Sequence, residues 1–416
     1  MLNKIFPISI LMFAASHAFS QSMPAANPDS LRARQSDLNA LEYVFNEDEI
    51  PESMNQEMEY LLQDYNAQHY LFVDSDCVQM PNGPIFTKEE TIERLRRMPT
   101  LIEMPWNEVV QNYIDRYANK LRRHVSLMLG AQNLYMQIFE EALETYGLPL
   151  ELRYLPVIES ALNPNAVSHA GAGGLWQFMV ATGQRYGLRV NSLVDERRDP
   201  TKSSYAAAHY LYDLYQIFND WHLVIAAYNA GPGNIQKAIA RAGGARDYWE
   251  IYPYLPAETR GYVPAFIAAN YIMTFYRDHN ICPMKTTLPQ QADTIVVTKN
   301  LHFKQISEVI GIPIEELRAF NPQYRHDIVT GYTEPTDLRM PTEYVKLFIA
   351  NEDSIWAYDV SDLMKRDQVE ASSYSSSRTY SRNYHKSTSR QSYAQKSSRS
   401  KSSSDKSSRS SRRRRR

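Results

Sequence analysis

Cysteine is nearly missing from this chain, which has only Cys77 and Cys282 among 416 residues. Two such distant residues cannot form a disulfide scaffold, and their spacing suits neither zinc nor an iron–sulfur cluster. Long apolar runs are missing too, since nothing beyond the first twenty residues reaches the roughly 20 residues of a membrane span. A phosphate-binding loop is not expected, because Ala170-Gly171-Ala172-Gly173-Gly174 lacks the Lys and Ser/Thr that such a loop needs. What remains is a soluble body for which no cofactor and no metal is implied.

The hydrophobic fraction of 43%, with 29 Tyr and 14 Phe, can fill the cores of two or three folded units. The formal charge of −2 hides a split. Residues 371 to 416 hold 14 of the 45 basic residues and one acid, Asp405, so this tail carries +13 and the rest carries −15. Acidic body and basic tail are two electrostatic objects.

At the start, Lys4 precedes an apolar run over residues 5 to 15 and then Ala18-Phe19-Ser20, which predicts a secretory signal cut after residue 20. Export follows as an expectation. No cysteine lies near the cut to accept a lipid. In an oxidising compartment Cys77 and Cys282 can pair, although the sequence does not decide it. Residues 21 to 103 read as an acidic arm packing on the next domain.

From residue 104 to 285 the periodicity is helical. Val110, Ile114, Tyr117, Leu121, Val125 and Met128 recur at three- and four-residue steps, predicting a core-facing helix that ends near Gly130. A second stripe, Ile138, Ala142 and Tyr146, stops at Gly147. Asp199-Pro200 supplies an N-cap and a first-turn proline for a third helix that buries Ala207, Leu211, Leu214 and Phe218. No alternating strand pattern interrupts this unit, so it should be all-helical.

Four places in it can carry chemistry. Glu159 ends the apolar run Leu155-Pro156-Val157-Ile158, whose side chains would desolvate its carboxyl and favour the neutral form. Starting from about 4.3, such a group needs a rise of roughly two units to be substantially protonated near neutral pH. The glycine-rich turn leads into Trp176 and Gln177, expected on a following helix, with an aromatic face for a sugar ring and an amide for its hydroxyls. Tyr228-Asn229-Ala230-Gly231 closes another helix with an amide that both donates and accepts. In Glu258-Thr259-Arg260-Gly261-Tyr262-Val263, the tyrosine can hold a carboxyl in place.

The order of these elements resembles the lytic transglycosylases of glycoside hydrolase family 23, nearest the membrane-bound lytic murein transglycosylase D branch: Glu-Ser, Gly-Leu-Trp-Gln, Ala-Tyr-Asn-Ala-Gly, Glu-Thr-x-x-Tyr-Val. The resemblance covers about residues 104 to 278. It implies a mainly α, goose-lysozyme-like fold and peptidoglycan glycan strands as substrate. It makes Glu159 the catalytic acid/base, with Ser160, Trp176, Gln177, Tyr228, Asn229 and Tyr262 around the saccharide. Trp176 stands where some branches have Met, and Val180 where Pro is frequent. A hydrolase usually employs two carboxylates. These motifs nominate one, which suits intramolecular closure to a 1,6-anhydro sugar. A hydrolytic muramidase and a non-catalytic wall-binding protein are the competing readings.

After Pro283, a β-branched run at Thr294-Ile295-Val296-Val297, helical stretches over 302 to 310 and 313 to 320, and Leu338-Arg339-Met340 predict a β-α-α-β module. With Asn321-Pro322 it resembles a LysM domain over residues 293 to 345, a family that binds N-acetylglucosamine-containing polymers. Residues 323 to 336 are an insertion relative to its shortest versions. The Ser/Arg/Lys tail from 371 should be disordered, since it cannot bury enough apolar surface. Anionic envelope polymers or a membrane surface are its expected partners. Nucleic acid is not, because no groove-reading fold accompanies the charge.

Overall fold

The computed structural model describes residues 49–55, 70–77, 83–289, 291–332 and 334–365. The expected signal, much of the acidic arm and the basic tail lie outside the described residues. Among the described residues no helix is long and apolar enough to cross a membrane.

The elements, in order, are α1 (Glu52–Asn55), β1 (Leu71–Val73), α2 (Lys88–Arg97), α3 (Glu108–Ala118), α4 (Arg122–Thr145), α5 (Leu155–Ser160), α6 (Val180–Arg185), α7 (Pro200–Phe218), α8 (Trp221–Ala230), α9 (Pro232–Arg241), α10 (Tyr248–Ile251) and α11 (Ala257–Phe275). There follow β2 (Met284–Thr286), β3 (Ala292–Val297), β4 (Asn300–His302), α12 (Phe303–Ile310), α13 (Ile314–Phe320), β5 (Ile328–Thr330), β6 (Thr336–Pro341), α14 (Thr342–Ala350) and α15 (Glu352–Ala357).

The central helix is α11. Every residue from Gly261 to Met273 is buried, so it is apolar all round and packs on α3, α8 and α5. Pro264 inside it cannot donate to the carbonyl four residues back, and that carbonyl, Arg260 O, instead accepts the Tyr248 hydroxyl at 2.6 Å. This replacement keeps the helix continuous past Tyr262. Asp199 caps α7 by accepting from Thr201 N and Lys202 N, and Ala207, Leu211, Leu214 and Phe218 are buried as predicted. The predicted helix end at Gly130 is wrong. A break falls instead at residues 119 to 121, and α4 runs unbroken through Gly130. A Cβ at Gly130 would lie 2.6 Å from Met284 O, so the glycine admits strand β2 against the helix.

Strand β2 pairs antiparallel with β1 of the arm, Phe72 opposite Lys285, and Cys77 is joined to Cys282 with Cα atoms 5.8 Å apart. The arm also docks earlier. Glu49 is buried, its carbonyl accepts from Tyr113 at 2.7 Å, its carboxylate meets Arg260 at 3.1 Å, and Ser53 donates to Ile158 O.

The C-terminal module pairs β3 with β6 and β4 with β5, both antiparallel, and encloses a core of Leu301, Phe303, Ile306, Leu317, Val329, Leu338 and Met340. Three features exceed the predicted β-α-α-β. Strand β4 forms just before α12. The insertion supplies β5, and α14 and α15 extend the module past residue 345, burying Val345, Phe348 and Ile355 in the same core. Leu193 and Val194 of the helical domain complete that core.

Candidate active site

A cleft of about 570 Å³ opens in the helical domain, and Glu159, Gln177, Tyr228, Asn229 and Tyr262 all line it. Its carboxyl is delivered by a short helix under local strain. α5 ends after Ser160, and Ala161 (φ 50°) and Leu162 (φ 61°) both take left-handed conformations that cost non-glycine residues about 1 kcal/mol each. Leu162 N and Ala161 N then bond back to Pro156 O and Val157 O. The turn directs the chain away just beyond Glu159.

Glu159 is partly exposed, on the cleft side. Burial raises its pKa to about 8. The Tyr262 hydroxyl, donating to its Oε1, opposes that rise, and the charge of Glu258 adds to it. The group is therefore mainly protonated at neutral pH and ready to donate. Tyr262 is itself held well above the usual phenol range, by burial first and Glu159 second, so it stays a donor.

The amides are oriented by neighbours. Asn229 Oδ1 accepts from Thr259 Oγ1 at 2.9 Å, which sets the polarity of its amide. Gln177, which lines the cleft, donates Nε2 to Gly174 O at 2.8 Å and Ala166 O at 3.1 Å, which fixes the orientation of its amide. Tyr228 lines the cleft beside Phe178 and Tyr210, and its hydroxyl donates to Trp176 O at 2.8 Å. Together these provide a proton donor, oriented amides and aromatic surface.

Two expected substrate contacts are corrected. Trp176 is 0% exposed, edge-on to Phe139, and its indole N–H donates to Ser204 Oγ at 2.9 Å, so its ring offers no face to a sugar. Ser160 is also buried, its hydroxyl near Leu175 O at 2.9 Å and Pro156 O at 3.1 Å, so it ties α5 to the Trp176 turn. Nor do Trp176 and Gln177 sit on a helix. They occupy the turn before α6, Gln177 with φ 47°.

Other cleft residues carried no assigned role in the sequence reading. Pro51, Glu52 and Ser53 come from the arm, Phe178 and Tyr210 supply aromatic wall, and Glu258, one turn before Tyr262, makes a third carboxyl group in the cleft beside Glu159 and Glu52. Glu258 and Thr259 lie within a quoted motif. Glu52 is remote in sequence and had no signal.

The fold and the site together define a lysozyme-like helical domain whose cleft holds a neutral carboxyl acid. Residues 136–251 match the family model described as Transglycosylase SLT domain, and residues 291–357 match Lytic transglycosylase MltD, LysM-like domain. The chain thus carries these two domains in sequence, in agreement with the resemblance read from the motifs. Membrane-bound lytic murein transglycosylase D of Escherichia coli (strain K12) is 31% identical over 246 residues, 58% of this chain and 53% of that protein. Soluble lytic murein transglycosylase of the same strain is 34% identical over 116 residues, 26% of this chain and 18% of that one. The chain therefore spans about half the length of the first relative. Among solved structures, the 70 kDa soluble lytic transglycosylase from Escherichia coli overlaps 41% of this chain and 28% of its own, with 28% identity and a TM-score of 0.32.

Proposed function

We propose that this protein is a peptidoglycan lytic transglycosylase that cleaves the β-1,4 bond between N-acetylmuramic acid and N-acetylglucosamine, leaving a 1,6-anhydro-N-acetylmuramic acid end. The observation that carries the reading is the carboxyl of Glu159: buried on all sides but the cleft, bonded to Tyr262, and in surroundings that push its pKa up to about 8. Glu159 gives its proton to the glycosidic oxygen as the bond to C1 of the muramic sugar breaks. The C6 hydroxyl of that sugar closes onto C1, and the carboxylate takes its proton. The acid is regenerated and no water is consumed. Proton transfer of this kind contributes roughly 10² to 10⁴-fold, and positioning by Gln177, Asn229 and Tyr228 adds to it.

Hydrolysis is the second reading, favoured by Glu258, which lines the cleft and would serve as its base. Products from purified sacculi separate the two by mass, since hydrolysis adds a water and intramolecular closure does not. Under the leading reading Glu159→Gln abolishes both product formation and turbidity loss, whereas Glu258→Gln keeps anhydro products. The LysM-like module is proposed to hold glycan strands, and the chain to act after export, in keeping with its disulfide.

A further inference from the structure

The LysM-like module does more than adjoin the helical domain. Its insertion is stitched to residues 193–195 by Asp195 N to Gln323 O and Arg325 N to Leu193 O, both 2.9 Å, with Tyr324 bridged to Val194. At the centre of this seam is Asp195, fully buried, whose carboxylate meets Arg325 Nη2 at 2.6 Å from the module side. From the other side Arg197 forks onto it, Nε to Oδ1 and Nη2 to Oδ2, each at 2.9 Å. The remaining nitrogen of that guanidinium, Nη1, donates to Gly171 O and Phe178 O at 2.9 Å, two carbonyls that flank Gln177 in the cleft loop.

That loop is moulded on Arg197. Gly173 sits against the guanidinium, where a Cβ would come within 3.0 Å of Cζ, and Gly174, at φ 83°, would place a Cβ 1.8 Å from Arg197 O. Gly174 O in turn receives the Gln177 amide. A buried guanidinium with its donors engaged in a planar fork has little freedom to tilt, and the position of its carboxylate decides its own. Burial alone would favour a neutral Asp195. The hydrogen bond from Arg197, with the charges of Arg197, Arg325 and Arg198, overcomes that and keeps it ionised.

We propose that Arg325 is a positioning residue for the glycan cleft: through Asp195 and Arg197 the LysM-like module holds the 166–178 loop, and with it Gln177, in its saccharide-binding geometry. This rests on the transglycosylase reading for its kinetic consequence, but its structural consequence stands without it. The module is then part of the catalytic unit and not only a tether.

The test uses the full chain with Arg325→Ala, and Glu334→Ala as control. Glu334 pairs with Arg189 at 2.8 Å across the same seam but does not touch Asp195. Hydrogen exchange reads the loop directly through Gly173 N, Gly174 N and Phe178 N, which bond to Phe178 O, Ala166 O and Gly173 O. Expected for Arg325→Ala is exchange of these amides faster by about tenfold, with the β3–β6 ladder unchanged. With it, KM for a soluble murein oligosaccharide rises about five- to tenfold and kcat changes less than twofold. Glu334→Ala leaves both readouts at the wild-type values, and Arg325→Lys restores part of the loss. A role in stability alone would lower the active fraction without moving KM. If Arg325→Ala does not fold, Arg325→Lys carries the same comparison at smaller amplitude. Unchanged loop exchange in a folded Arg325 variant overturns the proposal whatever the enzyme does. Wild-type protein that makes no anhydro product overturns the functional reading and leaves the exchange result standing.

Discussion

Glu159→Gln has a consequence that needs no substrate to observe. The native environment raises this carboxyl from 4.5 to about 8, whereas in the unfolded chain it titrates normally. Between those values the native state keeps a proton the unfolded state has lost, so the group's contribution to stability is full below about pH 4.5 and gone above about pH 8. At 1.36 kcal/mol per unit the shift amounts to roughly 5 kcal/mol, and the open cleft side, where water relieves the penalty, brings the expected effect to about 2–5 kcal/mol. Glutamine does not titrate, so the variant escapes this loss. Urea unfolding at pH 5, 7 and 9 should show Glu159→Gln gaining on wild type by that amount as pH rises. Tyr228 and Tyr262 stay protonated throughout, being held well above the usual phenol range, chiefly by burial. A difference flat to within about 0.5 kcal/mol across the range would mean an ordinary carboxylate, and the acid role would lose its physical basis.

Three further outcomes follow from the same structure. The kcat/KM of the wild type should fall above about pH 8 as Glu159 ionises, and Tyr262→Phe, by removing a bond that lowers the Glu159 pKa, should shift that fall upward while reducing kcat; a downward shift would contradict the assigned hydrogen bond. Reduction of the disulfide, or Cys282→Ser, should cost about 2–5 kcal/mol, since 205 residues separate the partners, and differential scanning calorimetry with and without reductant checks it. Trp176→Ala should cost about 3–5 kcal/mol of stability, as expected of a buried ring; a stable variant with only a raised KM would restore the stacking role that its burial denies.

What the sequence disclosed and what it withheld divide along the range of the interactions. Asp199-Pro200 announces α7 because a cap and its first turn lie within four residues, and the apolar flanks of Glu159 announce its desolvation for the same reason. Gly130 misled because a glycine that ends a helix and one that admits a strand look identical until Met284 is seen against it. Trp176 misled likewise, since its partners Phe139 and Ser204 lie on α4 and α7, distant in sequence. The docking of the insertion on Asp195, and the arm residues lining the cleft, depend on contacts more than a hundred residues apart in sequence. No local pattern encodes them.

The central claim is that one neutral acid cuts the glycan while the sugar's own alcohol replaces water. Mass analysis of the products from sacculi digested in ¹⁸O-enriched water tests it most directly. The account predicts anhydro-muramic ends carrying no label from wild type and no products from Glu159→Gln. Reducing ends that carry ¹⁸O, or cutting sustained by the glutamine variant, would contradict it.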